Sequence, residues 1–170
     1  KIPSKFKKEI IGYSEKGIPI YKISIGSGEN RILSWSQMHG NESTGTKALF
    51  DLFNFFESND EEMTKITEKI IANCTLEFIV LLNPDGAINF TRENARNVDL
   101  NRDAVALKAA ESKLLRNTLD NFYKELDAEL FYRIHRSYVV NKSKVTQKKS
   151  SSIVVKDYEL PISRNFSFDF

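Results

Sequence analysis

The sequence predicts an α/β fold: a mixed sheet covered by helices, followed by a short all-β C-terminal segment. Three observations carry this. As far as Phe122, short apolar runs alternate with longer amphipathic stretches. The run TLEFIVLL (75–82) is apolar enough to be a central strand of a sheet covered by helices on both faces. Beyond Phe122 the alternation stops, and strand-like runs succeed one another.

The elements follow in order. KKEIIGYSEKGIPIYKISIGSG reads as two strands around a Lys-Gly turn, closed by the Gly-Ser-Gly breaker at 26–28. RILSWSQ (31–37) is a third strand that stops at His39-Gly40. STGTKALFDLFNFFES places Ala48, Leu49, Leu52, Phe53, Phe55 and Phe56 on one broad apolar helical face. DEEMTKITEKIIAN is a second, more polar helix, and NPDG (83–86) a tight turn after the central strand. VDL in NVDLNRD is strand-like, and residues 106–122 form an amphipathic helix. LFYRIHRSYVVN is then strand-like, KSKVTQKKSSS a polar basic loop, and SIVVKDYELPISRNF a closing hairpin.

At 170 residues, 41% hydrophobic with 12 Phe, the chain can bury a core. Net charge is +2, but it is unevenly spread: residues 130–156 hold 7 Lys or Arg and no acid. Such a run suits an anionic partner or simply a solvated face. The single cysteine, Cys74, cannot form an internal disulfide and reads as a buried structural thiol. No apolar stretch approaches a membrane span and no signal-type segment opens the chain, so a cytoplasmic setting is expected.

The chemistry concentrates in SQMHGNEST (36–44). His39 and Glu42 follow a strand, at the end where open α/β sheets place ligands. Two ligands separated by two residues supply neighbouring corners of a zinc tetrahedron from one turn. Asn41, Ser43 and Thr44 also make a good helix entrance, which is the purely structural reading. Downstream, TRENARNVDLNRD gathers Arg92, Arg96, Asn101 and Arg102 within thirteen residues. A guanidinium can grip a carboxylate through two parallel hydrogen bonds, with a neighbouring amide fixing its orientation.

The order H-G-N-E, N-P-D-G, R-x-N and D-L-N-R-D resembles the zinc metallocarboxypeptidase family over residues 1 to about 122. The resemblance implies a carboxypeptidase-like fold, a Zn2+ cofactor and hydrolysis of peptides bound by their C-terminal carboxylate. It assigns His39 and Glu42 as zinc ligands, Arg92 as the catalytic group that stabilises the oxyanion, and Asn101 and Arg102 as substrate carboxylate binders. The family's third zinc ligand is a histidine on a later strand. His135, in FYRIHRS, is the other histidine available for that corner. The family's later tyrosine and general-base glutamate have no counterpart, so an incomplete peptidase with weak or no turnover is expected. The tail acids Glu125, Glu129, Asp157, Glu159 and Asp169 fall in no motif that marks a base.

Residues 123–170 carry a second resemblance. FYRIHRSYVVNKSKV with IVVKDYELPISRNF is similar to the second half of LytTR-type DNA-binding domains. That resemblance assigns Arg136 and Arg164 to DNA bases, and the lysines of 142–149 to phosphates. The expected organisation is therefore a carboxypeptidase-like region at 1–122 and a basic, β-rich segment at 123–170. A DNA-binding protein and an idle or artificial joining of two motifs are the competing readings.

Overall fold

A computed structural model describes residues 5–135 and 138–164. The chain divides into two units, Lys1–Thr118 and Leu119–Phe170, with the division inside one helix.

The first unit is built on a four-stranded sheet. β1 (Lys7–Tyr13) and β2 (Pro19–Ile25) form an antiparallel hairpin whose register shifts between Ile10 and Gly12. β3 (Asn30–Trp35) lies at the opposite edge, and β4 (Cys74–Val80) lies between β2 and β3. β4 pairs antiparallel with β2 and parallel with β3, which makes the sheet mixed. The interior place of β4 is the one expected from its unbroken apolar run. A parallel neighbour requires a crossover, and α1 (Thr44–Phe56) and α2 (Glu61–Asn73) provide it.

Side-chain alternation decides what each face of the sheet meets. Ile23 and Ile25 of β2 and Leu76 and Phe78 of β4 pack with Phe6, Phe53 and Phe56 in one buried cluster. Leu49, Leu52, Ile70 and Ile71 of the two helices close over it. On the opposite face, the buried Glu77 receives Lys22 at 2.9 Å and Arg31 at 2.7 Å. Burial opposes ionisation of Glu77, but hydrogen bonds from Lys22 and Arg31 hold its carboxyl below the ordinary carboxylate range. Cys74 opens β4 and is half-buried against the first cluster, rather than enclosed as its sequence context suggested.

Three local expectations change. NPDG does not make a plain turn but opens a short helix, α3 (Pro84–Asn89), with Asn83 accepting from the Gly86 N–H as N-cap. Pro84 at the first helical position fits because it has no N–H to leave unpaired. VDL forms no strand; Asp99 caps a single 3-10 turn at Leu100–Arg102 by accepting from the Asn101 N–H. The helix expected from residue 106 begins at Ala110 and runs to Lys124 as α4. Asp103 occupies the approach to it, accepting from the N–H groups of Lys108 and Ala109.

In the second unit, β5 (Phe131–His135) pairs with β6 (Tyr138–Asn141). β7 (Val145–Lys148), β8 (Ser152–Val155) and β9 (Tyr158–Pro161) form a three-stranded antiparallel sheet. The basic stretch read as a loop is thus partly strand. Val145 is buried with Ile134, Val140 and Ile153, and that burial anchors the segment despite its lysines. Among the described residues, no helix is long and apolar enough to cross a membrane.

Candidate functional site

The site residues leave the C-terminal ends of two neighbouring strands. β3 ends at Trp35 and β4 at Val80, and the chains beyond them stay tied. The N–H of Leu82 donates to Ser36 O, and that of Asn83 to Gln37 O. Asn83 is fully buried. Its side-chain N–H2 donates to Met38 O at 3.4 Å and to Arg92 O at 3.3 Å, while its oxygen caps α3. One amide therefore holds the His39 loop and the Arg92 loop together. Two further bonds reinforce the junction, from the Gly40 N–H to Arg92 O and from the Asn41 N–H to Thr91 O. Gly40 is required by contact: a Cβ there would lie 2.0 Å from the Gly86 carbonyl carbon.

Within that frame four side chains converge. His39 Nδ1 lies 3.1 Å from Glu42 Oε1 and 3.2 Å from a terminal nitrogen of Arg92. The same Arg92 nitrogen is 3.4 Å from Glu42 Oε1. Arg92 Nε donates to Asp99 Oδ2 at 3.0 Å. On the other side of the ring, buried His39 Nε2 faces Asp99 Oδ1 at 3.4 Å, an ion-pair distance without hydrogen-bond alignment. Burial opposes ionisation of Asp99. Hydrogen bonds from Arg92 and the Asn101 N–H, with the nearby charges, nonetheless set its carboxyl below the ordinary range.

Donor chemistry orients the imidazole. Nδ1 faces both the Glu42 carboxylate and the Arg92 guanidinium, which only donates; in the tautomer that accepts from Arg92, Nδ1 carries a lone pair and the ring proton sits on Nε2, on the Asp99 side. Nδ1 and Glu42 Oε1 are then two acceptors 3.1 Å apart, an arrangement that needs a cation beside both. Arg92 fills that role in this structure. Zinc is the right kind of cation for this donor pair, although two ligands of one tetrahedral ion stand about 3.3–3.6 Å apart, so the pair at 3.1 Å would have to open slightly to hold it. A metal-bound histidine characteristically gives its other ring N–H to a carboxylate, which is the place of Asp99. Among the described residues, however, no group of three or more His, Cys, Asp or Glu side chains is arranged to hold a metal.

The other sequence-derived candidates are not among these four side chains. Asn101 and Arg102 are exposed on the 3-10 turn, linked to the cluster through the Asn101 N–H to Asp99 bond. Arg102 donates to Asn101 O at 3.4 Å. His135 ends β5 in the second unit, its ring 5.4 Å from that of Tyr138. Arg164 is exposed beyond β9, and Arg136 lies outside the described residues. Glu159 is exposed; hydrogen bonds from Lys149 and Ser152 keep its carboxyl below the ordinary range. Asn83 and Asp99 also belong to this cluster of contacts, although neither was assigned from the sequence. Both stood inside quoted motifs, N-P-D-G and D-L-N-R-D, but only the fold shows what they hold.

Known proteins share the fold and part of the sequence. Carboxypeptidase SOL1 of Arabidopsis thaliana is 34% identical over 99 residues, which is 55% of this chain and 20% of that protein. Probable carboxypeptidase 2 of Arthroderma benhamiae is 28% identical over 105 residues, 59% of this chain and 19% of that protein. The chain thus spans about a fifth of the length of these curated relatives. The metallo-carboxypeptidase from Burkholderia cenocepacia shares the fold, with a TM-score of 0.63 at 19% identity over 71% of this chain and 34% of that one. The metallo-carboxypeptidase from Pseudomonas aeruginosa, solved with (2-guanidinoethylmercapto)succinic acid, gives 0.61 at 20% identity over 69% and 32%. The zinc carboxypeptidase family pattern matches residues 1–149, so the chain belongs to the zinc carboxypeptidase family.

Proposed function

We propose that this chain binds the C-terminal carboxylate of peptides at a zinc site built on His39 and Glu42, with weak or no turnover. The convergence of His39 Nδ1 and Glu42 Oε1 beside Arg92 carries the reading. When bound, zinc supplies a Lewis acid that polarises a carbonyl and activates water. The residues of this chain do the rest. Asp99 lies on the Nε2 side of His39, where its carboxylate would accept the ring N–H and leave Nδ1 open. Arg92, anchored through Nε by Asp99, directs its terminal nitrogens toward the oxygen on which charge develops. Asn101 and Arg102 grip the terminal carboxylate and so fix the distance to the scissile bond.

Turnover is expected to be low, because a positioned general base contributes roughly 10²–10⁴-fold and none is assigned among these residues. Metal analysis of purified chain, with His39→Ala and His135→Ala beside it, tests the metal half of the reading. Zinc lost in His39→Ala supports it, and equal zinc in the parent and His39→Ala would remove it. The His135→Ala arm decides whether the β5 histidine takes part.

A second reading concerns the second unit, where Lys144, Lys148 and Lys149 are exposed. Exposed lysines of this kind would hold duplex DNA through phosphates. Binding would then be non-specific and would fall steeply with salt. Lys149 is already paired with Glu159, which weakens that surface. Fluorescence anisotropy at low and moderate salt decides it, and no binding at low salt leaves the segment a structural appendage.

A further inference from the structure

We propose that Phe90 sets specificity in this site, receiving the apolar side chain of the residue that precedes the C-terminal one in a bound peptide. The inference rests on the carboxypeptidase-type reading above and adds a substrate preference to it.

A cavity of about 750 Å³ opens beside the zinc-site residues. Its walls include Gln37, His39, Glu42 and Lys47, together with two aromatic side chains, Trp35 and Phe90. Asn101 and Arg102 are not among its walls. The cavity shares His39 and Glu42 with the site and neither Asn101 nor Arg102, so in the reading above it is the space open to the residues that precede the scissile bond. There they meet Trp35 and Phe90.

Phe90 is placed at two local costs. It is 76% exposed, so its ring is hydrated. It also ends α3 in the left-handed region, at φ 53° and ψ 40°. Helices reach that conformation at their C-terminus mainly with glycine or asparagine, and a bulky residue there is an outlier. Strained backbone of this kind gathers at ligand sites. The position is also firmly held. The next residue, Thr91, donates to Gly86 O and accepts from the Asn41 N–H, which locks the segment to the His39 loop. Glycine at position 90 would be the better cap, and the ring does what glycine cannot: it gives a polar cavity an apolar wall.

The test uses the full chain supplied with zinc and four N-acetyl tetrapeptides that share one C-terminal residue. They carry Leu or Ser at the preceding position, each as free acid and as amide, and binding is measured by calorimetric titration. The parent is expected to favour Leu over Ser by about fivefold or more, and the free acids over the amides. In Phe90→Gly and Phe90→Asn, both suited to the left-handed region, the Leu preference should fall to within about twofold with no drop in Tm. A preference retained by both variants overturns the proposal, as does its loss together with a marked fall in Tm of both. Equal binding of Leu and Ser acids by the parent, with acids still preferred to amides, overturns this inference alone. Failure to distinguish acid from amide overturns the carboxypeptidase-type reading and this inference with it.

Discussion

Replacing Asn94 by alanine should be among the most damaging single changes in the first unit. Asn94 and Glu111 are both buried, at 3% and 0% exposure. Asn94 Nδ2 donates to Glu111 Oε2 at 2.8 Å, and its Oδ1 accepts from the N–H groups of Arg96 at 3.0 Å and Val98 at 3.1 Å. The other Glu111 oxygen accepts from the Glu15 N–H at 3.1 Å. Alanine at 94 leaves one oxygen of a wholly buried carboxyl without its donor and two loop N–H groups without their acceptor. A buried unsatisfied group costs about 1–3 kcal/mol, and a buried acid stripped of its partner more. Some relief comes from water at the exposed Arg96 end, so about 3–5 kcal/mol is expected in all. Glu111→Gln should cost about 2–3 kcal/mol, because its amide N–H2 meets a donor whichever way it turns. The pair Glu111→Gln with Asn94→Asp reverses the polarity of the contact and keeps every bond. It should recover about 1–2 kcal/mol relative to the sum of the single changes. Urea unfolding followed by the fluorescence of Trp35, the single tryptophan, reads the unit that contains all these groups. A cost below about 1 kcal/mol for Asn94→Ala, or a double variant no better than additive, would refute the reasoning.

Two further outcomes follow from the geometry. Gly40→Ala should destabilise by about 2–3 kcal/mol and weaken zinc retention, because its Cβ forces the His39 loop off α3; unchanged unfolding and unchanged metal content would refute the contact. Asp103→Asn should cost about 1–2 kcal/mol at neutral pH by loosening the cap ahead of α4. Burial opposes ionisation of Asp103, yet its backbone bonds from Ala109 and Lys108 hold it below the ordinary 3.8. Its contribution is therefore complete above that value and lost as pH falls through the lower folded value. Parent and variant should converge in stability in that acid range, and a constant gap down to pH 2 would refute the assignment.

The sequence by itself determined the elements whose information is local. The Phe53 and Phe56 face of α1 and the apolar run of β4 announce burial through spacing and composition, because helix and strand periods are properties of consecutive residues. His39, Glu42, Arg92, Asn101 and Arg102 were legible as motif members, since each sits in a short fixed pattern. Where a segment had two local solutions, side-chain capture of backbone groups chose between them. Asn83-Pro84 suits a turn and a helix start equally, and the α3 cap decided for the helix. VDL has strand composition, but the Asp99 side chain captures the Asn101 N–H and bends the chain into a 3-10 turn. The lysine-rich stretch hid β7, which exists because β8 pairs with it and Val145 finds a core. Only the tertiary structure could assign Asp99 to His39 across sixty residues, make Asn83 the clasp between two site loops, or bring Phe90 to the wall of the same cavity. These relations depend on a parallel crossover that sets the ends of β3 and β4 side by side, and no local pattern encodes that distance.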